Sequence, residues 1–266
     1  MNRDIRKNHE YQGVRDEIRQ QHQKAKDMSL KEKISYFLYY YKFHTLIVIV
    51  AIAVIVTLVH DIVTSKDYCF NAIMLNVGSD PISGTELSSD FSGYANLDTK
   101  TYECYIDTAT TFSLQSSSQY DMVTSQKIFA MEEAGDLDCF VMDSEVFYHY
   151  AVNELFMDLS SCFTDEELEK YADYLYYIDY IDVEEVEEVN TEAETHRHPE
   201  EMENPVLVGI FVSDSAFIEK TEAYPDAIPV FGIVNSSHRT DTCKKYLEFL
   251  FDESVDFSHL IGQGIY

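Results

Sequence analysis

The 266-residue chain contains no tryptophan. That removes the strongest stacking platform for a sugar ring, although 20 tyrosines remain. Positive charge is scarce. Lys and Arg number 19 against 48 Asp and Glu, a net of −29. A nucleic-acid surface needs a basic face to neutralise phosphates, so nucleic acid is excluded as a partner. Catalytic signatures are also missing: there is no G-x-S-x-G, H-E-x-x-H, P-loop or EF-hand loop. No catalytic residue, metal site or cofactor is assigned, and the chain is not read as an enzyme. The five cysteines (Cys69, Cys104, Cys139, Cys162, Cys243) include no C-x-x-C pair. Three lie in apolar, strand-like runs and read as small buried hydrophobes. A single disulfide stays open as the alternative, and spacing alone does not pair it. Apolar residues are plentiful: 45% of the chain is hydrophobic and 14% aromatic, which excludes disorder as its general state.

Charge is unevenly placed. Residues 1–44 hold 10 Lys and Arg against 6 Asp and Glu, a net of +4, whereas residues 45–266 hold 9 against 42, a net of −33. Between them Thr45 to Val59 reads TLIVIVAIAVIVTLV, without a charge. Extended to Val63 it forms a helix about 28 Å long, enough to cross the hydrocarbon of a bilayer. Its Leu, Ile and Val side chains favour insertion by about 3 to 7 kcal/mol. Just upstream, Tyr36, Tyr39, Tyr40, Tyr41 and Lys42 fit an aromatic belt with a snorkelling lysine. Ser29 and Glu32 have capping-box spacing, so one helix is expected to run from Leu30 into the membrane. Lys24, Lys26, Lys31, Lys33 and Lys42 precede the span and only Lys66 follows it closely. The positive-inside rule then puts 1–44 in the cytoplasm and 66–266 outside the cell. The 44-residue basic lead is too long for a cleaved signal peptide, and no A-x-A-like site follows. The expectation is an uncleaved, single-pass anchor in the cell membrane, with the bilayer as partner through 45–63.

Beyond Lys66 strand and helix patterns alternate. Strands are expected at 68–77, 102–109, 137–142, 206–213 and 228–235. Helices are expected at 85–95, 121–134, 144–152, 165–177 and 239–251, the fourth capped by Thr164 and Glu167. Val123, Ile128, Phe129 and Met131 are the candidate buried face of the second. This order implies an α/β fold, a mainly parallel five-stranded sheet flanked by helices after one transmembrane helix. Residues 182–204 interrupt it with 10 Asp and Glu in 23 residues, read as a solvated, mobile acidic loop. His196 and His198 beside Glu200 and Glu201 are a weak metal pattern. Asp136-Leu137-Asp138 has the D-x-D form of a metal–nucleotide site, but stands at a helix-to-strand turn, where turn chemistry is favoured. The run Tyr174 to Ile181 reads as a helix end, part core and part Tyr-rich contact patch.

The stretch Tyr120 to Ala130, then Glu133-Ala134-Gly135-Asp136-Leu137-Asp138-Cys139-Phe140-Val141-Met142-Asp143, resembles the middle of a type 2 extracellular solute-binding protein. So do Asn153 to Ser160 and Val230 to Ser237, with the helix that ends Tyr246-Leu247-Glu248-Phe249-Leu250. The lead KEKISYFLYYYKFHT into a membrane helix is similar to anchored proteins of Gram-positive bacteria. The resemblance covers 68–178 and 205–252 and implies a binding function. Where a second lobe would be inserted, between Tyr180 and Pro205, only the acidic stretch is present. A single lobe without a clamshell is therefore expected.

In α/β sheets a ligand site lies outside the carboxyl ends of the strands. That rule selects Asn76, Gly78, Thr108, Thr111, Asp143, Ser144, Ser213 and Asn235 as ligand-binding candidates. The same residues also fit strand ends and helix caps. Two functions stay open: an anchored module that binds another cell-envelope protein, and an anchored small-ligand receptor that feeds a transporter.

Overall fold

The computed structural model describes residues 19, 29–64, 66–78, 82–115, 118–180 and 193–261. Most of the basic lead 1–28 and residues 182–192 of the acidic stretch lie outside the described residues. The chain divides into two units between Ser65 and Lys66. In the first, helix α1 (Leu30–Thr64) is continuous for 35 residues. Within it Tyr41–His60, with mean hydropathy 2.5, is long and apolar enough to cross a membrane. Its Leu, Ile and Val side chains face outward all round, as a lipid-facing helix requires. Two of its hydroxyls are satisfied locally: Thr57 Oγ1 donates to the Val54 carbonyl at 2.8 Å and Thr64 Oγ1 to the His60 carbonyl at 2.7 Å.

The second unit runs β1 (Tyr68–Met74), α2 (Gly84–Tyr94), β2 (Glu103–Asp107), α3 (Gln119–Glu133), β3 (Cys139–Asp143), α4 (Ser144–Ala151), α5 (Asp165–Glu169), β4 (Leu175–Asp179), β5 (Pro205–Phe211), α6 (Ala216–Thr221), β6 (Pro229–Ile233) and α7 (Thr240–Phe251). The six strands form one sheet in the order β2-β1-β3-β6-β5-β4. β1 is parallel to β2 and β3, but the β3–β6, β6–β5 and β5–β4 pairs are antiparallel. The α/β architecture stands; the expected mainly parallel sheet of five strands does not. The sixth strand is β4, inside the run read as a helix end. α5 stops at Glu169, and Leu175–Asp179 buries Tyr176 and Ile178 alternately, the period of a strand. β6 reverses direction because its connection is short. α6 has 6 residues, a rise of about 9 Å, whereas β5 with 7 residues spans about 23 Å. Such a helix cannot carry the chain back for a parallel return.

Helices cover both faces. Phe91 of α2, Phe217 of α6 and Tyr246, Leu247 and Leu250 of α7 pack with Phe70, Met74, Val141 and Phe231. On the other face Ile128 of α3 and Phe147 and Tyr150 of α4 pack with Ile73, Phe140, Phe211 and Val230. The Phe147 ring needs neighbouring glycines. A Cβ on Gly232 would stand 2.6 Å from Phe147 Cε2, and one on Gly209 would stand 2.8 Å from its Cζ. The cysteines are free thiols, with Cys139 and Cys243 buried.

The amino end of the sheet is tied by Asp138. Its buried carboxylate accepts from the Asn71 amide at 2.8 Å, the Ser237 hydroxyl at 2.7 Å and Arg239 Nε at 2.8 Å. Arg239 also reaches the Gly135 carbonyl at 3.2 Å. Gly135 ends α3 in a Schellman turn, with Asp136 N donating to Met131 O and Gly135 N to Glu132 O. The D-x-D pair is therefore turn chemistry: Asp138 has its oxygens filled by protein donors, and Asp136 joins the turn through its backbone N–H and C=O. Removing one partner of a buried ion pair costs about 3–5 kcal/mol. Arg239→Met should lower the melting temperature by roughly 6–20 °C for a domain of this size. Asp138→Leu with Arg239→Met should recover part of that loss, because no charge is then left unpaired. Thermal unfolding of the single and double variants checks both statements.

Candidate functional site

Four strands (β1, β2, β3 and β5) point the same way, so their carboxyl ends share one end of the sheet. Seven of the eight candidates lie there. Asn235 does not: it follows antiparallel β6, where Cys139 pairs Ile233, and so sits at the Asp138 end. Its amide donates to the Leu155 carbonyl at 2.8 Å.

The crevice expected beyond β1 and β3 is closed by the chain itself. The Gly78 amide donates to Ala223 O at 2.7 Å, and the Ser144 amide to Ile228 O at 2.9 Å. A Cβ on Gly78 would stand 2.9 Å from Pro225 Cδ. Tyr224 is buried between them, its hydroxyl donating to Val141 O at 2.9 Å. Desolvation holds that phenol well above the ordinary tyrosine value. Asp143 precedes α4 without a side-chain capping bond. The Ser213 hydroxyl is buried and unpartnered among the described residues. Gly78 and Ser144 thus bond the 223–228 segment directly, and Asp143 pairs with Pro229 beside it.

Asn76, Asp107 and Thr108 instead shape the neighbouring loop. Asn76, in the left-handed region at φ 61°, donates from Nδ2 to Phe112 O at 2.8 Å and accepts from Phe112 N at 2.8 Å. Thr108 Oγ1 donates to Ile82 O at 2.7 Å. Asp107 accepts from the amides of Ala109 and Thr110, the Thr110 hydroxyl at 2.7 Å and Lys127 Nζ at 3.4 Å. Burial works against its charge, but the Thr110 hydroxyl, the two amides and Lys127 outweigh it and hold the carboxyl below its ordinary value. Thr111 is exposed on this loop. The loop's far end is held by Asp121, which accepts from Ser113 N at 3.0 Å and from the Ser118 hydroxyl.

The pinned loop, α3 and α4 enclose a groove of about 520 Å³. Phe112, Leu114, Met122, Phe129 and His149 give it an apolar lining, and Ser113, Ser118, Asp121, Ser125 and Gln126 supply the polar groups. The His149 ring stacks on Phe112 with centroids 6.3 Å apart. Although His149 keeps one side to solvent, desolvation lowers its pKa below the ordinary histidine value, which favours the neutral ring.

α3 is turned against the sequence expectation. Ile128 is buried as expected, but with Asp121 and Thr124 on its stripe. Val123 and Phe129, expected in the core, are 56% and 44% exposed, and Met122 is 62% exposed. Met122, Val123, Gln126, Phe129 and Ala130 share the outward side of the helix at i, i+1, i+4, i+7 and i+8. The groove therefore runs on into an open apolar helix face. None of its lining residues was among the eight candidates. The available signal was that Asp121, Thr124 and Ile128 make one helical stripe, which Val123 and Phe129 do not join.

The described part of the acidic segment, 193–204, supplies no cluster here. Residues 193–197 and 199–201 form two 3-10 turns beside β4. His196 is buried, stacked 4.4 Å from Tyr176, and its Nδ1–H donates to Tyr177 O at 2.9 Å. His198 pairs with Glu200 at the surface, 3.1 Å away. Among the described residues no group of three His, Cys, Asp or Glu is placed to hold a metal. No family model, no curated protein and no solved structure matches the chain.

Asn76→Ala deletes both bonds to Phe112 and should cost about 1–3 kcal/mol. Hydrogen exchange at Phe112 should quicken more than exchange in β3. For Asp107 the folded pKa is lowered, so its stabilisation is complete above the ordinary carboxylate range and is lost as pH falls through the lowered value. The Ala109 and Thr110 amides should stay protected at about pH 5 and lose protection below the ordinary carboxylate pKa of about 4. Exchange measured against pH reads this directly.

Proposed function

We propose that the chain is a membrane-anchored, extracytoplasmic protein-interaction module, related to solute-binding proteins by the resemblance of 68–178 and 205–252. The observation that carries this reading is the groove with its continuation on α3. Monomeric domains bury aromatic and aliphatic side chains where they can, and a contiguous apolar patch on a helix marks an interaction site. Met122, Val123 and Phe129 are left outward by a helix whose inward stripe holds Asp121 and Thr124. Tyr120 on the same helix is also exposed. The anchor reading rests on Tyr41–His60, and the outward placement of 66–266 on the lysine asymmetry around it.

A small-ligand receptor is the second reading. A groove of about 520 Å³ falls within the usual range for small-molecule sites. Val123, however, lies outside the groove lining and would stay uncovered by such a ligand. A macromolecular partner covers both.

The test is capture from envelope extract by the full chain in zwitterionic nanodiscs, compared with Met122→Asp and Phe129→Asp. One defined protein should be retained by the unaltered chain and reduced about tenfold or more by either variant, a loss of about 1.4 kcal/mol. Equal capture by variant and parent contradicts the reading. So does a thermal shift with a small metabolite that both variants abolish. Protease added to intact cells should digest 66–266 and spare 1–44; the reverse pattern overturns the orientation.

A further inference from the structure

The groove and the outward face of α3 need an occupant, and the charges around them select its chemistry. Residues 66–266 carry 9 Lys and Arg against 41 Asp and Glu. Five of the nine cations are held in ion pairs: Lys127 with Asp107, Lys170 with Glu248, Arg197 with Glu194, Arg239 with Asp138 and Lys244 with Glu167. Lys220 is turned onto the Glu253 and Val255 carbonyls, and Lys66 onto Thr99 O. The field of the unit is therefore set by its carboxylates. On α3 itself the one cation is Lys127, tied to Asp107 at 3.4 Å, while Glu132 and Glu133 carry carboxylates at its last turn. Exposed Glu145 stands one turn before His149 on α4.

We infer that this surface takes a cationic amphipathic segment of a partner protein, its apolar side chains in the groove and on Met122, Val123 and Phe129 and its Lys and Arg among the surrounding carboxylates. The inference rests on the interaction-module reading and names the partner's chemistry. A second copy of the chain is disfavoured because each domain brings a net charge of the same sign. A bilayer is disfavoured because a helix lying on a membrane flanks its apolar face with Lys and Arg, and α3 has carboxylates there. A helical segment laying an apolar stripe into a groove is a recurring recognition mode, and opposite charge at its margins sets specificity and association rate.

The experiment titrates two synthetic peptides of identical Leu pattern, one with Lys and one with Glu at the remaining positions. The titrant is the full chain in zwitterionic nanodiscs, and fluorescence anisotropy is read. The Leu/Lys peptide should bind, the Leu/Glu peptide should not, and raising salt from about 0.05 to about 0.5 M should weaken binding about tenfold. Met122→Asp and Phe129→Asp should also weaken it, although each adds a negative charge. That sign separates docking from general attraction to an acidic protein. Met122→Ser and Phe129→Ser, with melting curves, provide a charge-neutral check on folding. Equal binding of both peptides, lost in the variants, keeps the module and overturns the cationic partner. Leu/Lys binding that the Asp variants leave unchanged or strengthen overturns both. Binding of neither peptide overturns the cationic inference, as does a dimer on sedimentation that Met122→Asp dissociates.

Discussion

The Asp138 carboxylate is the constraint on which the rest of the α/β unit depends. A carboxylate without solvent contact is stable only when its lone pairs are filled, and here β1, the Ser237 turn and Arg239 at the start of α7 fill them. The Asp138–Arg239 pair thus joins β1, the end of α3 and the start of the closing helix. The Phe147 ring over Gly209 and Gly232 does the same for α4 at the sheet's other face. With the amino ends of β1 and β3 locked, the opposite end is free to carry the shaped surface.

At that opposite end the fold departs from what an α/β sheet leads one to expect. The crevice beyond β1 and β3 is packed with the chain's own Tyr224 and Pro225. The open volume lies one step aside, between the loop after β2 and the two helices α3 and α4. Asn76 and Asp107 hold that loop with side-chain bonds, and Phe112 and Leu114 pack it against the core beside Tyr150, so the groove wall rests on both. α3 pays for its position by leaving Met122, Val123 and Phe129 in water. They are 62%, 56% and 44% exposed, so covering what remains would be worth about half of the roughly 1.5–3 kcal/mol of a full side-chain burial for each, and the domain alone does not gain it. A partner would.

Much of this was legible in the residues. The Thr164–Glu167 capping box, the Gly135 stop and the apolar run of α1 each follow from local chemistry, and local chemistry is what a sequence displays. β4 was missed because Tyr174 to Ile181 continues a capped helix without a Gly or Pro to break it; only the alternate burial of Tyr176 and Ile178 reveals the period of two. The reversal of β6, and with it the position of Asn235, depends on how far a six-residue helix can carry the chain. The rotation of α3 was hidden for a different reason. Val123 and Phe129 are ordinary core residues by type, and it is the tie between Asp121, Ser113 and Ser118 that turns the helix away from them. Local hydrogen bonds at the start of the helix outweighed hydropathy, and hydropathy was the property first read.

Hydroxyl-radical footprinting of the full chain in zwitterionic nanodiscs tests the outward apolar face most directly, because it reads native side chains without substitution. The account predicts rapid modification of Met122, Val123 and Phe129, with Ile128 on the same helix and the buried Met74 and Met142 protected. Protection of Val123 and Phe129 together with Ile128 would restore an ordinary amphipathic helix and contradict it.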